Sequence, residues 1–222
     1  MCRRKRHVGK SVRKRGAMTK IKLCGLSRAC DIEAANMLRP DYIGFVFAEN
    51  SRRYVSPEKA RRLRKGLSPD IKAVGVFVRE DAEAVAWLLE SGVIDAAQLH
   101  GGEDEAYIRH LRSLTDKPLI KAFRVDSEED GAAAERCSAD YVLLDSGEGG
   151  TGEAFDWSLL GRIKRPYFLA GGLTPENVGG AVRTLQPYGV DVSSGIEAGG
   201  YKDKNKMAAF VATVRKEDGY DK

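Results

Sequence analysis

Short apolar runs rich in β-branched and aromatic residues alternate along the chain with longer stretches in which apolar positions return every three or four residues. The first pattern predicts strands and the second predicts amphipathic helices. The strand runs are KIKLC (20–24), YIGFVF (42–47), KAVGVF (72–77), AAQLH (96–100), PLIKAF (118–123), YVLLD (141–145), PYFLA (166–170) and GVDVSS (189–194). Helix patterns such as SPEKARRLRKGL and EDAEAVAWLLESG lie between them. In the first of these, Ser56 is placed to cap and Pro57 to fill the first helical position. Glu58 then faces the positive end of the helix dipole. Eight strand–helix units in 222 residues predict an α/β fold, a (β/α)8 barrel, with residues 18–222 as its single domain. A doubly wound open sheet uses the same alternation but usually fewer strands.

Charge changes the picture only at one end. The formal net charge is +5, yet residues 1–17 hold eight Lys or Arg and no acid, so the rest of the chain carries −3. That extension has almost no apolar content and is expected to be disordered. Its functional reading is an arm for nucleic acid or anionic lipid. The plainer reading, preferred here, is an extension without function, because Met18 opens MTKIKLCG like a natural start. Neither a nucleic-acid nor a membrane partner is then expected. No run of 18 apolar residues is present, and no apolar segment near the N-terminus suggests a secretory signal. Cysteines stand at 2, 24, 30 and 137, without CxxC spacing or a histidine pair at metal spacing. The expectation is free thiols in the cytoplasm, and no metal.

A barrel carries its chemistry at the C-terminal ends of its strands, with phosphate after strands seven and eight. Those ends hold Cys24, Phe47, His100, Asp145, AGGLTPEN and SSGIE. Gly171 and Gly172 follow one strand, and Ser194 and Gly195 follow the next. Glycine lets backbone N–H groups approach an anion, and Thr174-Pro175 reads as the cap and first residue of a helix whose dipole would add to the attraction. Plain turn chemistry would explain either glycine pair alone. GEGGTG (147–152) formally matches a dinucleotide fingerprint, but it stands late in the chain and lacks the expected long helix. It suits a mobile loop over a ligand better.

Taken singly, Cys24 reads as a small buried hydrophobe and Asp145 as a turn former. Taken together on one rim, they form a base and an acid: a thiolate takes a proton from carbon, and a carboxylic acid donates one to oxygen. Asp191 is the next base in line. Arg52 and Arg53, in NSRRYVSPE, supply positive potential or a fork for a substrate carboxylate. A solvated loop would explain them equally well.

KLCGL, GFVFAENSRRYVSPE, VGVFV, QLHG, LLDSGEGGTGEAFDW, LAGGLTPENV and GVDVSSGIEAGGYKDKNKM, in this order over residues 19–215, resemble the phosphoribosylanthranilate isomerase family of tryptophan biosynthesis. Leu23, where isoleucine is common, and the basic extension are the departures. The resemblance implies an Amadori rearrangement of N-(5-phosphoribosyl)anthranilate to 1-(2-carboxyphenylamino)-1-deoxyribulose 5-phosphate, without cofactor or metal. It implies Cys24 as general base, Asp145 as general acid and Arg53 as partner of the anthranilate carboxylate. His100, Asp191, Gly171, Gly172, Ser194 and Gly195 are the further substrate-binding candidates. The related aldosylamine isomerase of histidine synthesis looks like a two-fold repeated barrel with an aspartate in each half, and here Cys24 replaces the first aspartate. A monomer or a homodimer is expected, with a small phosphoribosyl compound as its partner.

Overall fold

The computed structural model describes residues 18–145 and 163–219. Eight of the described strands are β1 (Lys20–Cys24), β2 (Tyr42–Val46), β3 (Lys72–Phe77), β4 (Ala96–Leu99), β5 (Leu119–Arg124), β6 (Tyr141–Asp145), β7 (Tyr167–Ala170) and β8 (Gly189–Val192). They form a closed parallel barrel in chain order, with β1 paired to β8. The described α-helices are α1 (Ala29–Leu38), α2 (Pro57–Lys65), α3 (Ala82–Glu90), α4 (Glu105–Leu114), α5 (Glu128–Arg136), α6 (Val178–Leu185) and α7 (Lys204–Glu217). The expected strands are all present, several displaced by a residue or two at an end. The extension, 1–17, and GEGGTG lie outside the described residues. Among the described residues, no helix is long and apolar enough to cross a membrane.

Local chemistry sets the helix starts. The Ser56 side chain accepts from Lys59 N with Pro57 at the first helical position, as expected. Asp104 and Asp203 cap α4 and α7 in the same way. One expectation fails: α6 starts at Val178, with Asn177 as its cap, not at Thr174-Pro175. Asn177 Oδ1 accepts from Thr174 N, and Thr174 Oγ1 accepts from Glu176 N. These side-chain bonds hold residues 174–177 in a turn that comes before the helix.

Strand alternation divides the core in two. Ile21, Leu23, Ile43 and Phe45 point outward and pack beneath the helices. The opposite faces fill the barrel with Val74, Ile120, Leu143 and Phe168. Tyr42, Tyr141 and Tyr188 surround the Phe168 ring, with centroids 5.5, 6.0 and 5.3 Å away. Further along the same inward faces the lining becomes polar, with Lys22, Gln98 and Asp191, all buried.

Candidate active site

Parallel strands in a closed barrel deliver their C-terminal ends to one rim, and a cavity of about 320 Å³ opens there. Cys24, Arg53, His100, Asp145, Gly171, Gly172, Asp191 and Ser194 all line it. These are eight of the nine candidates named from the sequence. The ninth, Gly195, does not line the cavity.

Cys24 is buried at the end of β1, opposite Gly44 on β2. A Cβ on Gly44 would lie 2.7 Å from Cys24 Sγ, so the bare strand makes room for the sulfur. Gly25 has φ +80°, and a Cβ there would meet Arg53 Cδ at 2.5 Å. The glycine after the cysteine therefore makes the turn and lets the Arg53 stem cross over it. Burial pushes the Cys24 thiol above its ordinary pKa; Lys22 pulls it down, Asp191 pushes it up and Lys202 pulls it down, and the net shift is upward.

Gln98 and His100 follow one another on the inward face of β4. The Gln98 amide nitrogen lies 2.8 Å from His100 Nδ1. With that nitrogen donating, the ring carries its proton on Nε2, which faces Asp145 Oδ2 at 3.7 Å. Burial lowers the His100 pKa, and the attraction of Asp145 and Asp191 only partly offsets this. Gln98 Oε1 is buried and has no hydrogen-bond partner among the described residues. The loop after His100 is tied down by Lys121, which donates to Gly101 O at 2.7 Å and to Glu103 at 3.0 Å.

Arg53 directs Nε and one Nη to Glu197, at 2.6 and 3.0 Å. Arg52 and Lys202 reach the same carboxylate, at 2.7 and 2.6 Å. Burial pushes the Glu197 carboxyl up, but the hydrogen bonds from Arg53 and Lys202 outweigh it and hold the pKa down to about 2. Arg53 is thus a fixed cation. Arg52 is the more exposed, with 61% of its side chain accessible against 23% for Arg53, but Glu197 also holds it. Glu197 and Lys202 belong to β9 (Glu197–Ala198) and β10 (Tyr201–Lys202), a small antiparallel pair that sequence reading missed.

After β7, Gly171 and Gly172 take φ values of +90° and +58°. After β8 comes a 3-10 turn, Ser194–Ile196. A Cβ on Gly195 would fall 1.9 Å from Leu173 O, so the two loops touch backbone to backbone. Gly195→Ala must therefore push the loops apart. Overpacking of this kind costs about 1–3 kcal/mol, and Tm is expected to fall by roughly 2–4 °C per kcal/mol for a chain of this size. KM for a phosphorylated substrate should rise with it. A thermal melt and a substrate titration check both; an unchanged KM in a folded variant would separate the loop contact from anion binding.

Comparison with known proteins bears on most of the chain. The family model described as N-(5'-phosphoribosyl)anthranilate (PRA) isomerase matches residues 21–213. This chain belongs to that family. The N-(5'-phosphoribosyl)anthranilate isomerase of Caldanaerobacter subterraneus subsp. tengcongensis is 47% identical over 204 residues, covering 89% of this chain and 98% of the relative. The crystal structure of phosphoribosyl anthranilate isomerase from Thermotoga maritima matches with a TM-score of 0.81 and 36% identity, covering 90% of this chain and 100% of the other. A further isomerase structure, in complex with reduced 1-(o-carboxyphenylamino)-1-deoxyribulose 5-phosphate, matches with a TM-score of 0.79 and 35% identity, covering 90% and 100%. The chain is accordingly an isomerase of tryptophan biosynthesis, acting on N-(5-phosphoribosyl)anthranilate.

Proposed function

We propose that this cavity performs the Amadori rearrangement by general acid–base catalysis divided between Cys24 and Asp145. The observation that carries the reading is their convergence: a thiol ending β1 and a carboxylate ending β6 line one cavity. Asp145 protonates the furanose ring oxygen, and the C1–O bond breaks to leave a Schiff base with the anthranilate nitrogen. Cys24, as thiolate, then removes the C2 proton. The resulting enolamine becomes the ketone. His100 and Asp191 face the sugar from β4 and β8. Gly171, Gly172 and Ser194 present backbone to the phosphate, while Gly195 sets the loop spacing.

Arg53 reads the anthranilate carboxylate. Glu197 takes its Nε and one Nη, and the remaining Nη meets the substrate. Arg53→Ala should raise KM by about tenfold or more, since a hydrogen bond to a charged group is worth about 1.5–3 kcal/mol. Arg52→Ala should cost much less, because exposed ion pairs contribute little. Initial-rate kinetics on both variants decide this, and a larger loss for Arg52→Ala would reverse the assignment.

Residues 18–222 are proposed as the isomerase domain, with residues 1–17 dispensable to it. The enzyme is proposed to act in the cytoplasm on its small phosphoribosyl substrate, without nucleic acid or membrane, as a monomer or homodimer. A deciding experiment generates N-(5-phosphoribosyl)anthranilate enzymatically and follows the loss of its anthranilate-type fluorescence. The full chain and a chain beginning at Met18 should convert it at the same rate. No conversion by the full chain would overturn the function, and loss in the shorter chain alone would overturn the domain boundary.

A further inference from the structure

Lys22 lies at the centre of the barrel, fully buried, two residues before Cys24 on the same inward face of β1. Its ammonium donates to Asp191 Oδ1 at 2.9 Å. Its positive charge also acts on the Cys24 thiol, two residues further along the same face. Asp191 is the register partner of Lys22 across the β1–β8 seam, so barrel closure brings the two together. A buried ion pair is a weak source of stability, and well-packed apolar residues often serve as well. This pair sits directly beneath a thiol that must lose its proton.

We propose that Lys22 is a positioning residue for the reaction, supplying from beneath the cavity the counter-charge for the Cys24 thiolate. The inference rests on the reading of Cys24 as base. Lys22 exchanges no proton. When Cys24 ionises, the new negative charge faces the Lys22 ammonium; when the thiolate takes the C2 proton of the substrate, Cys24 returns to neutral and Lys22 keeps its bond to Asp191. Other charges also face the sulfur. Asp191, from β8, opposes its ionisation, and Lys202, from β10, assists it. Glu197 offsets the Lys202 charge at 2.6 Å. Arg53, His100 and Asp145 share the cavity. Lys22 differs from Lys202 and Arg53 in standing fully buried on the same strand face as the thiol. Burial works against the Lys22 charge, but Asp191 and Cys24 more than compensate, and its pKa is raised.

The test reads the thiol itself. The rate of iodoacetamide alkylation at Cys24, resolved by peptide mass spectrometry, is followed against pH in wild type, Lys22→Met and the double variant Lys22→Met/Asp191→Asn. The double variant removes both charges together, so no buried carboxylate is left unpaired. In Lys22→Met, Cys24 should titrate at least about one pH unit higher than in wild type, and in the double variant by less, because the opposing charge of Asp191 is lost as well. In Lys22→Met, kcat/KM at neutral pH should fall by the same factor, about tenfold per unit, with KM little changed. A folded Lys22→Met enzyme whose Cys24 titrates with the wild-type thiol, or a folded double variant whose Cys24 titrates below it, would overturn the proposal and leave Lys22 a structural residue. A Cys24→Ser enzyme with near-normal turnover would instead overturn the choice of base, whatever the alkylation profile shows.

Discussion

Cys24→Ser should reduce kcat by about 100- to 10,000-fold, the range a positioned general base supplies, with KM close to wild type. Serine keeps the size and the position, at the end of β1 opposite Gly44, so the cavity stays open. What it loses is ionisation. Lys22 and Lys202 both favour an anion at this point, and a thiol, unlike a hydroxyl, lies within reach of that help. Burial still leaves the resting thiol protonated at neutral pH, so the working thiolate is a minor form. Single-turnover measurements at saturating substrate separate this loss from binding. Near-normal turnover by the serine variant would return Cys24 to the core and move attention to Asp191.

The residues at the rim were legible because each ends or follows a strand, and parallel strands deliver their ends to one side. Cys24, His100, Asp145 and the glycines after β7 and β8 needed no knowledge of packing beyond that. The charge pairing beneath and beside them was not legible. Lys22 and Asp191 stand 169 residues apart and meet only when β1 closes on β8. In an open sheet covered by helices on one face alone, the face carrying Lys20, Lys22 and Cys24 would be the solvated one, and the lysines would need no account. Closure turns that face inward. The clue was the alternation itself, since Ile21 and Leu23 claim the helix side and leave Lys22 on the other. Glu197 and Lys202 gave less away, because each sits in a two-residue strand too short for any period. Thr174-Pro175 misled for a local reason: it has the composition of a helix start, but Asn177 captures Thr174 N and delays the helix to Val178.

Asp145→Asn should also lower kcat by about 100- to 10,000-fold, and its pH profile should differ in kind from that of the wild-type enzyme. The wild-type reaction needs a protonated carboxyl and an ionised thiol at once. A carboxyl ordinarily loses its proton at about pH 4 and a thiol at about 8.5, and burial moves the Cys24 thiol up. The productive form is then the less populated of two arrangements that carry the same number of protons. Its fraction does not change with pH between the two ionisations, so kcat/KM should be flat across neutral pH and fall above the thiol pKa. Asparagine keeps the shape beside His100 but donates no proton, and ring opening must rely on solvent. Only the thiol then titrates, so the residual kcat/KM should climb tenfold per pH unit up to the thiol pKa. A flat profile turned into a rising one identifies Asp145 as the acid and Cys24 as the base in a single experiment. If the asparagine variant kept the flat profile, the proton for the ring oxygen would come from another group in the cavity, and His100, with its Nε2 proton facing the same space, would be the next to replace.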